Sequence, residues 1–92
     1  MAKYKLIGIR PNHSQMRQMV GKTLYRINYN WLEKVYIIGL TIGENDKWQF
    51  VLAADEELKE NEPLFISIKS AERYARKHRV MLDHYPQKKT PN

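Results

Sequence analysis

The fold is decided by residues 35 to 53, which read VYIIGLTIGENDKWQFVLA. The part from Val35 to Ile42 is apolar on both alternating faces, which is typical of a strand buried inside a sheet. The part from Gly43 to Lys47 is a cluster of turn-forming residues, and Trp48 to Ala53 resumes an extended pattern. The stretch therefore predicts a β-hairpin over residues 35–53.

Further strands are predicted on both sides of this hairpin. The segment Leu24 to Trp31 alternates with a period of two. The segments Tyr4 to Ile9 and Leu64 to Ile68 are rich in residues that suit a pleated, half-buried surface. Val80 to Tyr85 has the composition of a last strand before Pro86.

Two helices are predicted between these strands. The first covers His13 to Val20 and is capped by Asn12, whose side-chain oxygen can accept a hydrogen bond from an early backbone amide. The second begins at Ser70 and carries an apolar stripe at helical spacing, made of Ala71, Tyr74, Ala75 and His78. Residues 54–62 are acidic and polar, and both a short helix and a loop stay open for them.

The order strand, helix, four strands, helix, strand predicts one α+β domain over residues 1–86. Its sheet is expected to be mainly antiparallel, with about five to six strands and one or two helices packed on one face. A chain of 92 residues with 42% hydrophobic side chains can bury a modest core. Residues 87–92 are expected to form a flexible basic tail.

The net charge of +6 is distributed unevenly along the chain. Counting Lys and Arg against Asp and Glu, residues 1–43 carry seven against one, 44–62 two against seven, and 63–92 seven against two. This asymmetry favours attraction to a polyanion or to an acidic protein, at a site confined to part of the surface.

The second helix is the strongest candidate site. Together with the tail it predicts a nucleic-acid-binding face made of Lys69, Arg73, Arg76, Lys77, Arg79, Lys88 and Lys89. Neutralisation of phosphates by such a face supplies affinity that depends on salt and not on sequence. The alternative is an ordinary solvated helix face, in which Glu72 pairs with Arg76 one turn later.

Strand aromatics form a second candidate site. Tyr25, Trp31 and Tyr36 are candidates for stacking on the bases of single-stranded nucleic acid. Alternating aromatic residues in strands more often belong to a packed core, and both interpretations stay open.

Several kinds of chemistry are disfavoured by the sequence. The chain has no cysteine, which excludes disulfides and thiolate sites and fits a reducing, cytoplasmic compartment. His13, His78 and His84 lack the spacing of a zinc motif, and the acidic segment lacks the register of a calcium loop. The longest nearly apolar run, Val35 to Ile42, is far shorter than the roughly 20 residues that span a membrane. We therefore expect no metal, no cofactor and no membrane partner.

Two segments resemble known families. Residues 64–78, which read LFISIKSAERYARKH, resemble a signature near the end of an accessory-subunit family of respiratory complex I, which implies a strand followed by a helix. The basic charge, the length and the ending Asp83-His84-Tyr85 resemble RelE-type ribonuclease toxins. That resemblance implies that Arg79, His84 and Tyr85 act as a phosphate clamp and as acid or base.

The sequence as a whole favours a small, basic, non-enzymatic binding module that contacts nucleic acid or another anionic surface through its C-terminal helix. One alternative is a protein-interaction module, such as an accessory or inhibitory protein that docks on an enzyme. The other is a RelE-like ribonuclease toxin. The binding roles are favoured because no motif assembles a nucleophile, a base and a group that stabilises developing charge.

Overall fold

Residues 4–8, 12–43 and 46–86 are described by a computed structural model. The described strands are β1 (Tyr4–Ile7), β2 (Thr23–Asn28), β3 (Trp31–Ile42), β4 (Trp48–Leu52) and β5 (Glu62–Phe65). The described helices are α1 (His13–Met19) and α2 (Ile68–Lys77), and a short 3-10 turn spans Asp55–Glu57. The strands form one sheet in the order β1-β5-β2-β3-β4, in which β1 and β5 are parallel and the other neighbours are antiparallel.

The predicted α+β class with a mainly antiparallel sheet is confirmed, and so is the hairpin over residues 35–53. The arrangement differs from the prediction at the helices and at the end of the domain. The two helices lie on opposite faces of the sheet, because α1 packs on one core cluster and α2 on another. The last predicted strand, Val80 to Tyr85, is reduced to one isolated bridge between His84 and Trp31.

Strand β3 begins earlier than predicted, because the chain turns between Asn28 and Trp31. These two residues pair across a two-residue connection in which Tyr29 has a φ of 57°. Strand β3 then pairs with β2 through Tyr36 and with β4 from Ile37 onward, with a register shift between Ile37 and Gly39. A long strand that changes partners half way along makes the sheet curl.

The curl brings the two edge strands together at Tyr4. The hydroxyl of this β1 residue donates a hydrogen bond to the backbone carbonyl of Phe50 in β4 at 3.1 Å. The same oxygen accepts from the backbone N–H of Phe50 at 2.6 Å. One side chain therefore satisfies both backbone groups that Phe50 turns away from β3, so the middle of the β4 edge is already occupied.

The first core cluster lies inside the curl, and α1 covers it. Its buried members include Leu24, Ile37, Phe50 and Leu64, and α1 contributes the buried Met16. Helix α1 begins as predicted, with Asn12 Oδ1 accepting from the N–H of Gln15 at 3.2 Å. Its apolar face therefore seals one side of the sheet.

The second core cluster lies on the other face, beneath α2. It contains Leu32, Phe65 and Ala71, with Tyr25, Ile27 and Tyr74 packed against it. Leu64 and Phe65 are consecutive in β5 and belong to different clusters, as alternate residues of a strand do when both faces are covered. This is why one helix is needed on each face.

Helix α2 begins earlier than the predicted Ser70. Strand β5 ends at Phe65, and Ser67 caps the helix by accepting from the N–H of Ser70 at 3.1 Å. Ser70 is therefore the third helical residue rather than the cap, and its hydroxyl lies 3.1 Å from that of Ser67.

After α2 the chain returns along the start of β3. Arg79 adopts a φ of 56° and Val80 donates to the carbonyl of Ala75 at 2.8 Å, which closes the helix. The segment 80–86 then lies beside the β2–β3 turn, where Leu32 donates to the carbonyl of His84 at 2.7 Å. Asn30 Nδ2 also donates to Asp83 Oδ2 at 2.8 Å. The predicted tail, residues 87–92, lies outside the described residues.

Candidate functional site

The cations of α2 point away from the sheet. Ala71 and Ala75 are buried against the second core cluster, and they fix which side of the helix faces inward. The opposite side is exposed and carries the residues that we call the basic face, namely Lys69, Arg73, Arg76, Lys77 and, just beyond the helix, Arg79. The structure thus places four of the seven predicted phosphate-binding residues on α2 and a fifth, Arg79, just after its end. The other two, Lys88 and Lys89, lie outside the described residues.

The charge of the basic face is not neutralised by its neighbours. Within the described part of the chain, no member of the basic face forms an ion pair, and Arg26 is the cation that does. Glu72 is the acidic residue of α2, and its carboxylate accepts a hydrogen bond from the Tyr85 hydroxyl at 2.8 Å. That hydrogen bond raises the pKa of Tyr85, and it takes the place of the expected pairing of Glu72 with Arg76.

The three predicted stacking residues do not form one platform. Tyr25 is half-buried and packs beneath α2. Tyr36 is exposed on the α2 side of the sheet. It pairs with Thr23, which is on the same face of β2 as Tyr25. Trp31 pairs with Asn28 on the other side, and its ring stacks on that of His84 with centroids 4.0 Å apart. Tyr25 and Tyr36 therefore lie on the same side of the sheet as α2, and of these two only Tyr36 is exposed.

One exposed aromatic residue lies in a turn where the sequence pattern predicted a strand. Tyr29 lies at the tip of the β2–β3 turn, and its ring is exposed. The alternating pattern assigned it to a strand, because Tyr29 and Asn30 lack the glycine that usually announces such a tight turn. No local signal in the sequence distinguishes it from the half-buried tyrosines.

The residues that the toxin resemblance implies are held by other contacts. Arg79 ends α2, and the His84 ring is stacked on Trp31. The hydroxyl of Tyr85 is bonded to Glu72 of α2. The side chains of His84 and Tyr85 thus contact different elements, β3 and α2, and each is already bound to a partner.

A buried ion pair is the second feature that the sequence analysis missed. Arg26 and Glu62 are both buried, and Arg26 Nη2 donates to Glu62 Oε1 at 3.0 Å. Arg26 Nε lies 2.9 Å from Oε2 without the alignment of a hydrogen bond, and Glu57 Oε2 is 3.9 Å from Nη1. The pair ties β2 to β5, and each charge compensates the other.

An open cavity of about 290 Å³ lies beside this pair, between the end of β2 and the turn before β5. Lys59 and Tyr29 stand on its wall, with Lys59 Nζ 5.9 Å from the centre of the Tyr29 ring. Because Arg26 is already neutralised by Glu62, the cavity has no free charge at its base. We assign the pair a structural role.

The acidic segment and the histidines show no metal-binding arrangement. Among residues 4–8, 12–43 and 46–86, no three His, Cys, Asp or Glu side chains are grouped closely enough to hold an ion. Each histidine instead contacts an aromatic ring: His13 that of Trp48, His78 that of Tyr74, and His84 that of Trp31. In the same described ranges, no helix is long and apolar enough to cross a membrane.

Comparison of the chain with protein-family models, with curated proteins and with solved structures gives no match. The proposals that follow therefore depend on the geometry of the described residues.

Proposed function

We propose that the protein is a small binding module that holds the phosphate backbone of a nucleic acid on the basic face of α2. The observation that carries the proposal is the set of five exposed cations that form no ion pair within the described part of the chain. Surface helices that merely stay soluble usually mix both signs of charge. Here α2 carries four cations and one carboxylate, Glu72, which accepts a hydrogen bond from the Tyr85 hydroxyl and forms no ion pair with a cation of the described ranges.

Packing of α2 supports the same role. The helix is anchored by Ala71 and Ala75 and capped by Ser67, so the backbone that carries its cations is ordered before any ligand arrives. A polyanion that binds to such a face does not have to order the backbone first, which lowers the entropic cost of association. The face offers charge but no arrangement for reading base edges, so we expect affinity without strong sequence preference.

Salt dependence is the first test. The logarithm of the binding constant should fall with the logarithm of salt concentration, with a slope of roughly −0.9 per neutralised phosphate for duplex and −0.7 for single strands. With all five cations engaged, the slope is about −4.5 or about −3.5. Raising the salt from 50 to 200 mM should then weaken binding by roughly 100- to 500-fold.

Charge reversal on the helix is the second test. Changing Arg73, Arg76 and Lys77 to Glu replaces a positive by a negative charge at each site, which takes the net charge from +6 to zero. The matched control is a variant with the same net charge, in which three exposed cations away from α2 are reversed: Arg17, Lys22 and Lys47. We expect the helix variant to lose binding at low salt and the control to keep most of the parental slope.

The proposal fails if the parent protein binds neither duplex nor single-stranded nucleic acid at low salt. It also fails if the helix variant and the control lose the same affinity. In that case the net charge would matter and the position of the cations would not.

A further inference from the structure

The sheet face that carries α2 is only partly covered. Helix α2 packs on β5, on β2 and on the start of β3, where Leu32 belongs to the second core cluster. The outward side chains farther along β3 and on β4 are exposed, namely Tyr36 at 55%, Ile38 at 63% and Val51 at 37%. We call these three residues the bare hairpin face.

The register shift in β3 makes this face continuous. Ile37 is buried and Leu40 packs against the first core cluster, so Ile38 and Gly39 between them both lie on the outer side. Gly39 pairs with Val51, and a Cβ atom at Gly39 would stand 3.7 Å from that of Val51. Ile38 and Val51 therefore form one exposed apolar patch on the outer side of the hairpin, and a contiguous patch of this kind is typical of an interaction site.

Two exposed cations, Lys34 and Lys69, lie towards the Tyr36 end of this face. Lys34 is the exposed outward residue that precedes Tyr36 in β3. Phe65, Tyr25 and Lys34 form one row across the sheet, and α2 begins just beyond Phe65. The first turn of α2, with the exposed Lys69, therefore lies at the same end of the sheet as Tyr36. The N-terminus of a helix adds a partial positive charge there.

We propose that the bare hairpin face docks an acidic amphipathic helix of a partner protein, laid beside α2 in the vacant half of that layer. Sheets of this class bury a free face under helices that pack side by side, and the described chain supplies one helix for this face. An apolar stripe would cover Ile38 and Val51, and acidic residues on its border would meet Lys34 and Lys69.

Other modes of docking fit these observations less well. Addition of a strand to β4 is obstructed, since the Tyr4 hydroxyl already bonds the outward backbone groups of Phe50. A second copy docked about a two-fold axis would bring the same cationic border against itself, because such an interface uses the same patch twice. This inference is independent of the nucleic-acid proposal.

The test uses a synthetic peptide of about four helical turns, with Leu at positions i, i+3, i+4 and i+7 of each repeat and Glu elsewhere. Three fluorescently labelled peptides are compared by anisotropy: this peptide, a scrambled peptide of the same composition, and one with Lys in place of each Glu. We expect saturable binding of the first alone.

A matched pair of protein variants locates the site. Ile38→Ser changes the bare hairpin face, and Ile42→Ser changes the same residue type in the same strand at 55% exposure, on the side of the sheet where its pairing partner Trp48 packs. Both side chains are exposed, so both variants should fold. We expect Ile38→Ser to weaken peptide binding about tenfold or more and Ile42→Ser to leave it within about twofold.

Five results would overturn the proposal, four of them from peptide binding and self-association and one from nucleic-acid binding. The first three are a parent protein that does not bind the acidic peptide, equal binding of the scrambled or basic peptide, and equal effects of the two serine variants. The fourth is self-association in sedimentation that Ile38→Ser abolishes, which would make a second copy the occupant. Nucleic-acid binding measured in parallel should be the same for Ile38→Ser and Ile42→Ser, and a loss confined to Ile38→Ser would assign this face to nucleic acid instead.

Discussion

Replacing Tyr4 by Phe removes one oxygen atom and tests how the sheet is closed. In the parent protein that oxygen bonds both the carbonyl and the N–H of Phe50, across the gap between the two edge strands. The phenyl ring of the variant still fills the same space in the first core cluster, so no large cavity forms. The perturbation is therefore confined to the two hydrogen bonds.

Two lost hydrogen bonds should lower the free energy of unfolding by about 2 to 4 kcal/mol. A hydrogen bond contributes about 0.5 to 1.5 kcal/mol net, and a buried backbone group that is left without a partner costs about 1 to 3 kcal/mol. The value is measured by urea denaturation of the parent and the variant at pH 7, followed by circular dichroism. A difference below about 0.5 kcal/mol, the size of an ordinary surface change, would refute the argument, since water would then satisfy Phe50.

The pH dependence of the difference in unfolding free energy between the parent and the Phe variant is a second test. Burial is the main cause that raises the pKa of Tyr4 above its ordinary value of 10.0. As the pH rises above about 10, the unfolded chain loses this proton before the folded protein does, so stability falls until the pH passes the folded pKa. The Phe variant lacks this contribution. We therefore expect its deficit to be constant below about pH 9 and to shrink above pH 10.

Three further predictions concern α2 and the segment after it. Tyr74→Ala should destabilise the protein by about 2 to 4 kcal/mol in urea denaturation, because the half-buried ring packs on Phe65 with centroids 5.0 Å apart; a loss below about 1 kcal/mol would mean that the ring is exposed. Arg79→Gly should raise the urea midpoint, with a gain of about 0.5 to 1 kcal/mol, since glycine adopts the positive φ of this position without strain; an unchanged midpoint would contradict this. Purified protein should leave labelled single-stranded RNA and ribosome-bound mRNA intact. Cleavage that survives repurification and disappears in His84→Ala would establish the ribonuclease alternative instead.

The parts of the fold that depend on local patterns were predictable from the sequence. The hairpin has an apolar run, a turn cluster and a second run in immediate succession, and the cap of α1 uses an asparagine side chain and a backbone amide three residues apart. The stripe and the basic face of α2 follow from helical spacing alone. These features need no knowledge of what packs where.

The features that sequence analysis missed depend on distant partners. Arg26 alternates with apolar residues, so the pattern predicts that it is exposed to solvent. It is buried because the carboxylate of Glu62, 36 positions later, compensates its charge. The prediction that the helices share one face of the sheet is wrong for a related reason. The side chains of Leu64 and Phe65 point to opposite faces, and each face needs a helix to cover it. Contacts between residues far apart in the sequence therefore determine both the burial of Arg26 and the faces that the helices cover.

The two proposed ligands should influence each other's binding. Lys69 belongs to the basic face of α2 and lies at the same end of the sheet as Tyr36 of the bare hairpin face. An acidic helix bound near this end would lower the positive potential that attracts phosphates, so the two ligands should oppose each other. Linkage requires the effect to be reciprocal, and screening makes it weaker as salt rises. If both proposals hold, nucleic acid and an acidic helix therefore compete most strongly at low salt.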